Sequence, residues 1–386
     1  MNICINSEVL LISRFSGISH YTYSLIKSLL KLNEPDKFYK LFYLTGINDN
    51  IPNLFNEFTN ISNIIVRFPG FLRKIFKFCS IYLNYPVLEN FVKIPIDIYH
   101  TPNYFAFPSK KARIIYTVYD LIPFLYPEFL PQFYKSNFII IAKCFFRKLF
   151  EKADLIITIS ENTKNDLINY MNIKEEKIKV VYLASRENFY PIKDKTLIKP
   201  VLDEYKINSP YILFIGTLEP KKNLPLLIEA YSKLPDKIKK DYLLVLAGNK
   251  GWKYDNIFKK IKELNLYNRV IHTDYIPEEK LPLLLNGATL LVYPSLYEGF
   301  GLPPLEAMSC GIPVITSNNS SLPEIIGDAG IMIDPKDVNQ LTESMSFLLE
   351  NPQQREKLSK LGIKRSKNFS WDKVAYQTME VYKSLV

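Results

Sequence analysis

Short apolar runs recur along the chain, separated by longer stretches with helical spacing. Ile3–Ile5, Ile98–His100, Arg113–Thr117 and Leu155–Ile159 read as buried strands in the first half. A second series follows at Tyr211–Gly216, Tyr242–Ala247, Val270–Thr273, Leu290–Tyr293 and Pro313–Thr316. Strands that alternate with helices build parallel sheets with helices packed on them, so each series predicts a Rossmann-like layer. Ser160 stands as the N-cap of the helix opening ENTKNDLINYM, although Thr163 rather than Glu or Gln follows three residues later, so no full capping box forms. Beyond Val180–Leu183, a polar stretch with Pro and Lys from about Arg186 to Pro210 separates the two series. The expected organisation is a first domain over residues 1–190, a linker over 191–209 and a second domain over 210–371. No short repeat or low-complexity segment interrupts it.

Length agrees, since 386 residues exceed one comfortable core. The composition, 47% hydrophobic and 23% charged, is that of an ordinary globular chain. Cys4, Cys79, Cys144 and Cys310 form no CxxC pair, which predicts reduced thiols and a cytoplasmic protein. MNICINSEVLLIS lacks the basic and long apolar regions of a secretion signal, and no apolar run reaches the roughly 18 residues of a membrane span.

The net charge of +10 is uneven: residues 1–200 hold 26 basic against 17 acidic residues, and the remainder 23 against 22. No acid lies between Glu57 and Glu89, where Arg67, Arg73, Lys74 and Lys77 are interleaved with Phe68, Phe71, Phe76, Phe78 and Tyr82. Such a stretch is either a helix lying on an anionic membrane or a core helix with a solvated basic rim. A second basic helix is expected from about Lys135 to Lys152. No nucleic-acid-binding motif accompanies these charges, and nucleic acid is not an expected partner.

The chemistry concentrates in YPSLYEGFGLPPLEAMSCGIPVI, Tyr293–Ile315. A strand leads to a loop in which Gly299 and Gly301 permit a tight turn, and Pro303 or Pro304 suits the first position of the following helix. Backbone N–H groups at a helix start attract phosphate. Glu298 on the loop and Glu306 in the helix's first turn can accept hydrogen bonds from the hydroxyls of a sugar and a ribose. Each glutamate alone could equally be structural, Glu306 by complementing the helix dipole and Glu298 as a solvated loop residue. Upstream, FIGTLEPKKNLPLLIEAY ends a strand at Gly216 and carries Lys221 and Lys222 into a helix, where a lysine facing a cleft would neutralise a diphosphate.

These segments resemble the retaining glycosyltransferases of family four. EGFGLPPLEAM is similar to the family's Glu-x7-Glu signature almost letter for letter, and GTLEPKKN resembles its phosphate-binding loop. The resemblance implies the α/β GT-B fold, two Rossmann-like domains facing a central cleft, with a final helix at 372–386 crossing back onto the first domain. It further implies that Glu306 bonds ribose, that Glu298 bonds sugar hydroxyls, and that Lys222, aided by Lys221 and the Gly301–Leu302 backbone, holds the diphosphate. Gly216, Thr217, Gly299 and Phe300 complete that donor loop, and backbone near Tyr275 and Ile276 would meet the base. Relatives often have arginine at the position of Lys221, and many carry one directly after the glycine, where this chain has Thr217.

In the first half, Gly17 occupies the family's glycine loop, and HTPN at His100 resembles a strand end lining the cleft. TVYDLIPFLYPEFL places Tyr119-Asp120 where most relatives have His-Asp. Tyr119 can donate a hydrogen bond but cannot become a cation at neutral pH, and is either a donor-sugar contact or simple aromatic packing. The catalytic set implied is Glu298, Lys222, Tyr119 and Asp120.

The variant EPKKN resembles bacterial mannosyltransferases and rhamnosyltransferases of O-antigen or capsular polysaccharide. It implies GDP-mannose as donor, a glycan or lipid-linked glycan as acceptor, and work at the inner face of the cell membrane. No Asp-x-Asp occurs, so neither a metal nor another cofactor is expected. Two other classes are open: a non-catalytic scaffold in a polysaccharide assembly complex, favoured by Tyr119 and Thr217, and a dehydrogenase. The dehydrogenase lacks its Gly-x-Gly-x-x-Gly turn.

Overall fold

Two separate parallel sheets organise the chain in a computed structural model. It describes residues 1–12, 17–34, 36–47, 49–103, 105–131 and 136–386, with backbone alone at 74, 81 and 136–139. The first unit comprises Met1–Leu121, Ile140–Leu183 and Trp371–Val386, and the second Ile122–Ile139 and Ala184–Ser370.

The sheet of the first unit contains β1 Asn2–Asn6, β2 Phe38–Thr45, β3 Ile61–Arg67, β4 Ile98–Thr101, β5 Arg113–Val118, β6 Leu155–Thr158 and β7 Ile178–Val180. They run parallel in the order β3-β2-β1-β4-β5-β6-β7. Ile3, Cys4 and Ile5 are fully buried, as expected of a parallel strand covered on both faces. The pattern of apolar runs did not reveal β2 or β3, and β7 ends where the run Val180–Leu183 begins. Ser160 caps the helix Glu161–Met171 by accepting from the Thr163 N–H at 3.1 Å. The last helix, Trp371–Lys383, packs on the helix Gly17–Lys31, and its Tyr382 hydroxyl lies 2.6 Å from His100 Nδ1.

In the second unit β8 Tyr211–Ile215, β9 Leu243–Ala247, β10 Val270–His272, β11 Leu290–Tyr293, β12 Val314–Ser317 and β13 Ile331–Ile333 form a parallel sheet ordered β10-β9-β8-β11-β12-β13. The expected linker over 191–209 is not one. Its residues include the helix Lys199–Glu204, and Ile198, Val201 and Ile207 are buried because these few apolar side chains pack within the second unit. The Ile192 N–H bonds Asn286 Oδ1 at 2.7 Å, fixing the approach to that helix. Residues 122–139, expected within the first domain, also belong to the second unit. Trp252 Nε1 donates to the Phe129 carbonyl, and Tyr126 lies 5.1 Å from the Tyr297 ring.

Both basic helices form, as Gly70–Leu83 in the first unit and as Ser136–Lys152, which belongs to the first unit from Ile140 onward. In the former, Phe76 turns inward onto Phe68 and Phe91, while Phe71, Ile75, Phe78 and Tyr82 share an exposed stripe. The helix is therefore both a core helix and an exposed apolar face. Its cations are partly committed: Lys77 bonds Glu8 at 2.5 Å, Arg73 lies 3.8 Å from Asp49, and the Lys74 side chain is outside the described residues. Among the described residues no helix is long and apolar enough to cross a membrane.

Candidate active site

The second sheet reverses its direction of growth at β8, which is flanked by β9 on one side and β11 on the other. Loops leaving the carboxyl ends of strands at such a switch point diverge and leave a crevice for ligands. Gly216 follows β8 with φ 150°, and Gly248 follows β9 with φ 144°. A Cβ on Gly248 would lie 2.1 Å from the Gly216 carbonyl oxygen, so only glycine permits this approach of the two loops.

The turn Pro220–Lys222 then directs Lys222 inward. Its Nζ donates to the Tyr293 hydroxyl and to Glu298 Oε1, both at 2.6 Å. Lys221 Nζ lies 3.9 Å from Glu298 Oε2 and 3.6 Å from Glu219 Oε1. Burial pushes the Glu298 carboxyl upward, but the charges of Lys222 and Lys221 and the hydrogen bond from Lys222 outweigh it and hold the group at about 2. Glu298 is thus an ionised carboxylate in a buried place, a state that requires such partners. Glu219, with weaker contacts, is raised by burial.

Backbone bonds stitch the two loops together. The Leu296 N–H donates to the Lys221 carbonyl at 2.8 Å, and the Glu298 N–H to Ser320 Oγ at 3.0 Å. The Ser321 hydroxyl faces the carbonyls of Glu298 and Phe300 at 3.0 and 2.8 Å. Gly301, at φ 114°, closes the turn, and a Cβ there would lie 2.8 Å from Leu322 Cδ2.

The helix that follows is Leu302–Ser309, so neither proline takes the first position. Because the left-handed Gly301 starts the helix one residue ahead of Pro303, Glu306 lies in the second turn rather than the first, where a dipole role would place it. Pro303 and Pro304 have no N–H, which leaves Leu302 as the one donor among the first three helical residues.

Glu306 is buried and accepts from Arg186 Nε at 2.8 Å. Burial raises its carboxyl above the ordinary range, and Arg186 counters that rise without reversing it. For Arg186 burial opposes the charge, but the Glu306 and Glu278 carboxylates hold the guanidinium as a cation. Arg186 also lies over the Phe189 ring at 4.5 Å. The expected ribose contact at Glu306 is therefore held by an arginine.

Gly216, Lys221, Lys222, Glu298, Gly299, Phe300, Gly301 and Leu302 are brought together at one end of the sheet. Thr217 is exposed beside them, and Ile276 is buried. Gly17, Tyr119 and Asp120 belong to the first unit. Gly17 opens its helix with nothing within 4 Å of a Cβ, and residues 13–16 before it lie outside the described residues. Tyr119 is buried, its hydroxyl donates to the Pro102 carbonyl at 2.7 Å, and its ring meets Tyr21 edge-on at 5.4 Å. That geometry is aromatic packing with a satisfied hydroxyl. Asp120 is half-buried just beyond β5.

Sequence reasoning missed Arg186, Tyr293, Ser320 and Ser321 as parts of this site. Arg186 sat at the edge of a stretch read as linker, and Tyr293 was visible only as a strand residue. The serine pair carried no signal of its own.

Residues 200–365 match the family described as glycosyl transferases group 1, and residues 15–184 match glycosyltransferase family 4. The chain is 34% identical to the O-antigen chain mannosyltransferase B of Escherichia coli, over 96% of each chain. It is 26% identical to a Campylobacter jejuni enzyme named N-acetylgalactosamine-N,N'-diacetylbacillosaminyl-diphospho-undecaprenol 4-alpha-N-acetylgalactosaminyltransferase, over 72% of this chain and 73% of that one. In fold it is similar to sucrose-phosphate synthase from Thermosynechococcus elongatus, with a TM-score of 0.75 at 20% identity over 100% of this chain and 98% of that one.

Proposed function

The chain belongs to the group 1 and family 4 glycosyltransferases, of the GT-B fold, and from that premise we propose that it transfers mannose from GDP-mannose to a lipid-linked glycan, with retention of configuration. The observation that carries this reading is the buried cluster of Lys222, Glu298 and Tyr293 beside the start of the helix Leu302–Ser309. The O-antigen mannosyltransferase relative supports the choice of mannose, and the diphospho-undecaprenol named for the Campylobacter relative supports a lipid-linked acceptor.

Lys222 has three N–H donors, and Tyr293 and Glu298 take two. The third is directed to a donor phosphate, together with the Leu302 N–H. Glu298, ionised and fixed by the serine pair, accepts from sugar hydroxyls. Glu306 accepts from the ribose, with Arg186 keeping its carboxylate oriented and Tyr275 at the base. As reaction proceeds, the bond from the anomeric carbon to the phosphate oxygen breaks and the acceptor oxygen bonds that carbon on the same face. The acceptor hydroxyl's proton passes to the departing phosphate, and GDP leaves. Charge that develops on the diphosphate is met by Lys222 and Lys221, fixed donors in a partly dry site, and no metal is needed in this scheme.

Work at the inner face of the cell membrane fits the basic first half and the exposed stripe of the helix Gly70–Leu83. The test is a panel of GDP- and UDP-sugars offered with lipid-linked glycan acceptors, products being read by mass spectrometry and their anomeric configuration by NMR. Transfer from GDP-mannose with retention is expected. Transfer only from a UDP-sugar, or an inverted product, would overturn the reading. Donor binding with no transfer to any acceptor would favour the scaffold instead.

A further inference from the structure

In the first unit, the helix Gly70–Leu83 and the stretch of the helix Ser136–Lys152 from Ile140 onward border a cavity of about 470 Å³ that the transfer chemistry leaves unused. Ala106 and Tyr116 line it from buried positions, while Ile140, Ile141 and Cys144 line it at an exposed edge. Filled with water it would hold roughly fifteen molecules against walls that are mostly apolar. The volume suits a small apolar ligand.

What surrounds the cavity identifies that ligand further. Tyr82 belongs both to the lining and to the stripe of Phe71, Ile75 and Phe78, and Phe71 is 65% and Phe78 60% exposed. Phe78 stacks towards Tyr82 at 4.5 Å and Tyr82 towards Phe145 at 6.0 Å, so the apolar face runs continuously from one helix to the other. A patch of this kind on a soluble face marks a contact with another apolar phase.

The ionisable side chains that line the cavity, apart from Tyr and Cys, are Lys148 and Lys152. Neither makes an ion pair among the described residues, and Lys152 Nζ donates only to Asn84 Oδ1, at 3.0 Å. The helix Gly70–Leu83 has no acid, and Glu151, the one acid of the other helix, is taken by Arg147 at 2.9 Å. An apolar cavity with an uncompensated positive mouth is complementary to a hydrocarbon chain that ends in a negative headgroup.

We propose that this cavity takes one hydrocarbon chain of a phosphate-bearing membrane lipid, with the phosphate at Lys148 and Lys152 and the Phe71–Tyr82 stripe in the surrounding bilayer. The proposal deepens the reading of a lipid-linked acceptor. It differs from simple adsorption of a basic helix, which needs no cavity.

The test uses the whole protein without donor or acceptor. Lysophosphatidylglycerol below its micellar concentration should bind and raise the melting temperature, whereas glycerol phosphate, the same headgroup without a chain, should do neither. Vesicles containing phosphatidylglycerol should bind wild type, and vesicles of phosphatidylcholine alone should bind at least tenfold more weakly. Cys144→Trp, which fills the exposed edge of the cavity, and the pair Lys148→Glu with Lys152→Glu should each weaken binding at least tenfold while hydrolysis of the donor is unchanged. Glycerol phosphate binding as well as the lysolipid would make this a free-phosphate site and overturn the proposal. So would a wild type indifferent to the lysolipid, or Cys144→Trp holding vesicles as tightly as wild type, which adsorption alone predicts. The lysolipid arm needs no variant to fold. Lipid binding that persists without transfer from any donor would sink the enzymatic reading and leave this one standing.

Discussion

The carboxyl ends of the two parallel sheets are built from opposite chemistry. In the second unit buried charges meet there: Lys222 and Lys221 on Glu298, and Arg186 on Glu306. In the first unit the corresponding ends of β4 and β5 hold neutral groups that satisfy one another. His100 Nε2 lies 2.8 Å from the Thr117 hydroxyl, which lies 3.1 Å from the Tyr21 hydroxyl, and Tyr382 engages the other imidazole nitrogen at 2.6 Å. Burial lowers His100 to about 3, so its ring is neutral at physiological pH. One topology thus supports a charged cluster with bonds left to give and a neutral network closed on itself. The difference fits the proposed phosphate site in the second unit, while the closed bonds of His100 tie β4 to β5 and to the last helix.

The largest expected effect comes from breaking the charged cluster. Lys222→Met leaves Glu298 buried without its main partner, and removal of one member of a buried pair costs roughly 3–5 kcal/mol. Chemical denaturation should show that loss, and calorimetry should show donor affinity falling at least tenfold. Glu298→Gln in the Lys222→Met background should restore much of the stability and little of the affinity. If stability barely moves in the single variant, the cluster is more hydrated than its burial indicates, and the contrast with the first unit collapses.

The neutral network makes a prediction in acid. The unfolded chain protonates His100 near its ordinary value of 6.5, whereas the folded protein resists protonation until about 3. The unfolded state therefore binds more protons between these values, and this part of the stability is whole above about 6.5 and is lost as pH falls towards about 3. The limiting slope is about 1.4 kcal/mol per pH unit. Glu298 adds a loss of the same sign only below its ordinary value of 4.5, as pH falls towards about 2. Melting curves from pH 7 to 5 should thus fall more steeply for wild type than for His100→Gln. Parallel curves would mean that His100 accepts a proton inside the folded unit.

The residues show why some of this was legible in the sequence. Glu298, Glu306, Lys221 and Lys222 lie in two contiguous strings whose spacing alone suggests a loop, a turn and a helix. Ser160 announced its helix because an N-cap is a local device. Arg186 could not be placed that way, since it reaches Glu306 across 120 positions and sits in a polar stretch that looks like a linker. The few apolar residues at 198, 201 and 207 that fasten that stretch to the second unit are too sparse to show a period. β2 and β3 escaped for another reason: FYKLFYLT and ISNIIVR mix polar with apolar residues and lack the clean runs of the central strands. The exposed stripe on the helix Gly70–Leu83 could be read as apolar, but which of its residues face solvent depends on where Phe68 and Phe91 receive Phe76.

The smallest effect concerns Tyr119, which stands where most members of the family have histidine. Its hydroxyl donates to the Pro102 carbonyl, so Tyr119→Phe removes a buried hydrogen bond and leaves an acceptor in need of a partner. A net loss of about 1 kcal/mol in stability is expected. Turnover should change less than threefold, because the proton already belongs to the backbone and the ring keeps its edge-on contact with Tyr21. Denaturation and steady-state kinetics on the same preparation decide between the two roles. A stability close to wild type with turnover reduced tenfold or more would show that the hydroxyl leaves Pro102 for the donor sugar, and the first unit would then contribute chemistry that its resting network conceals.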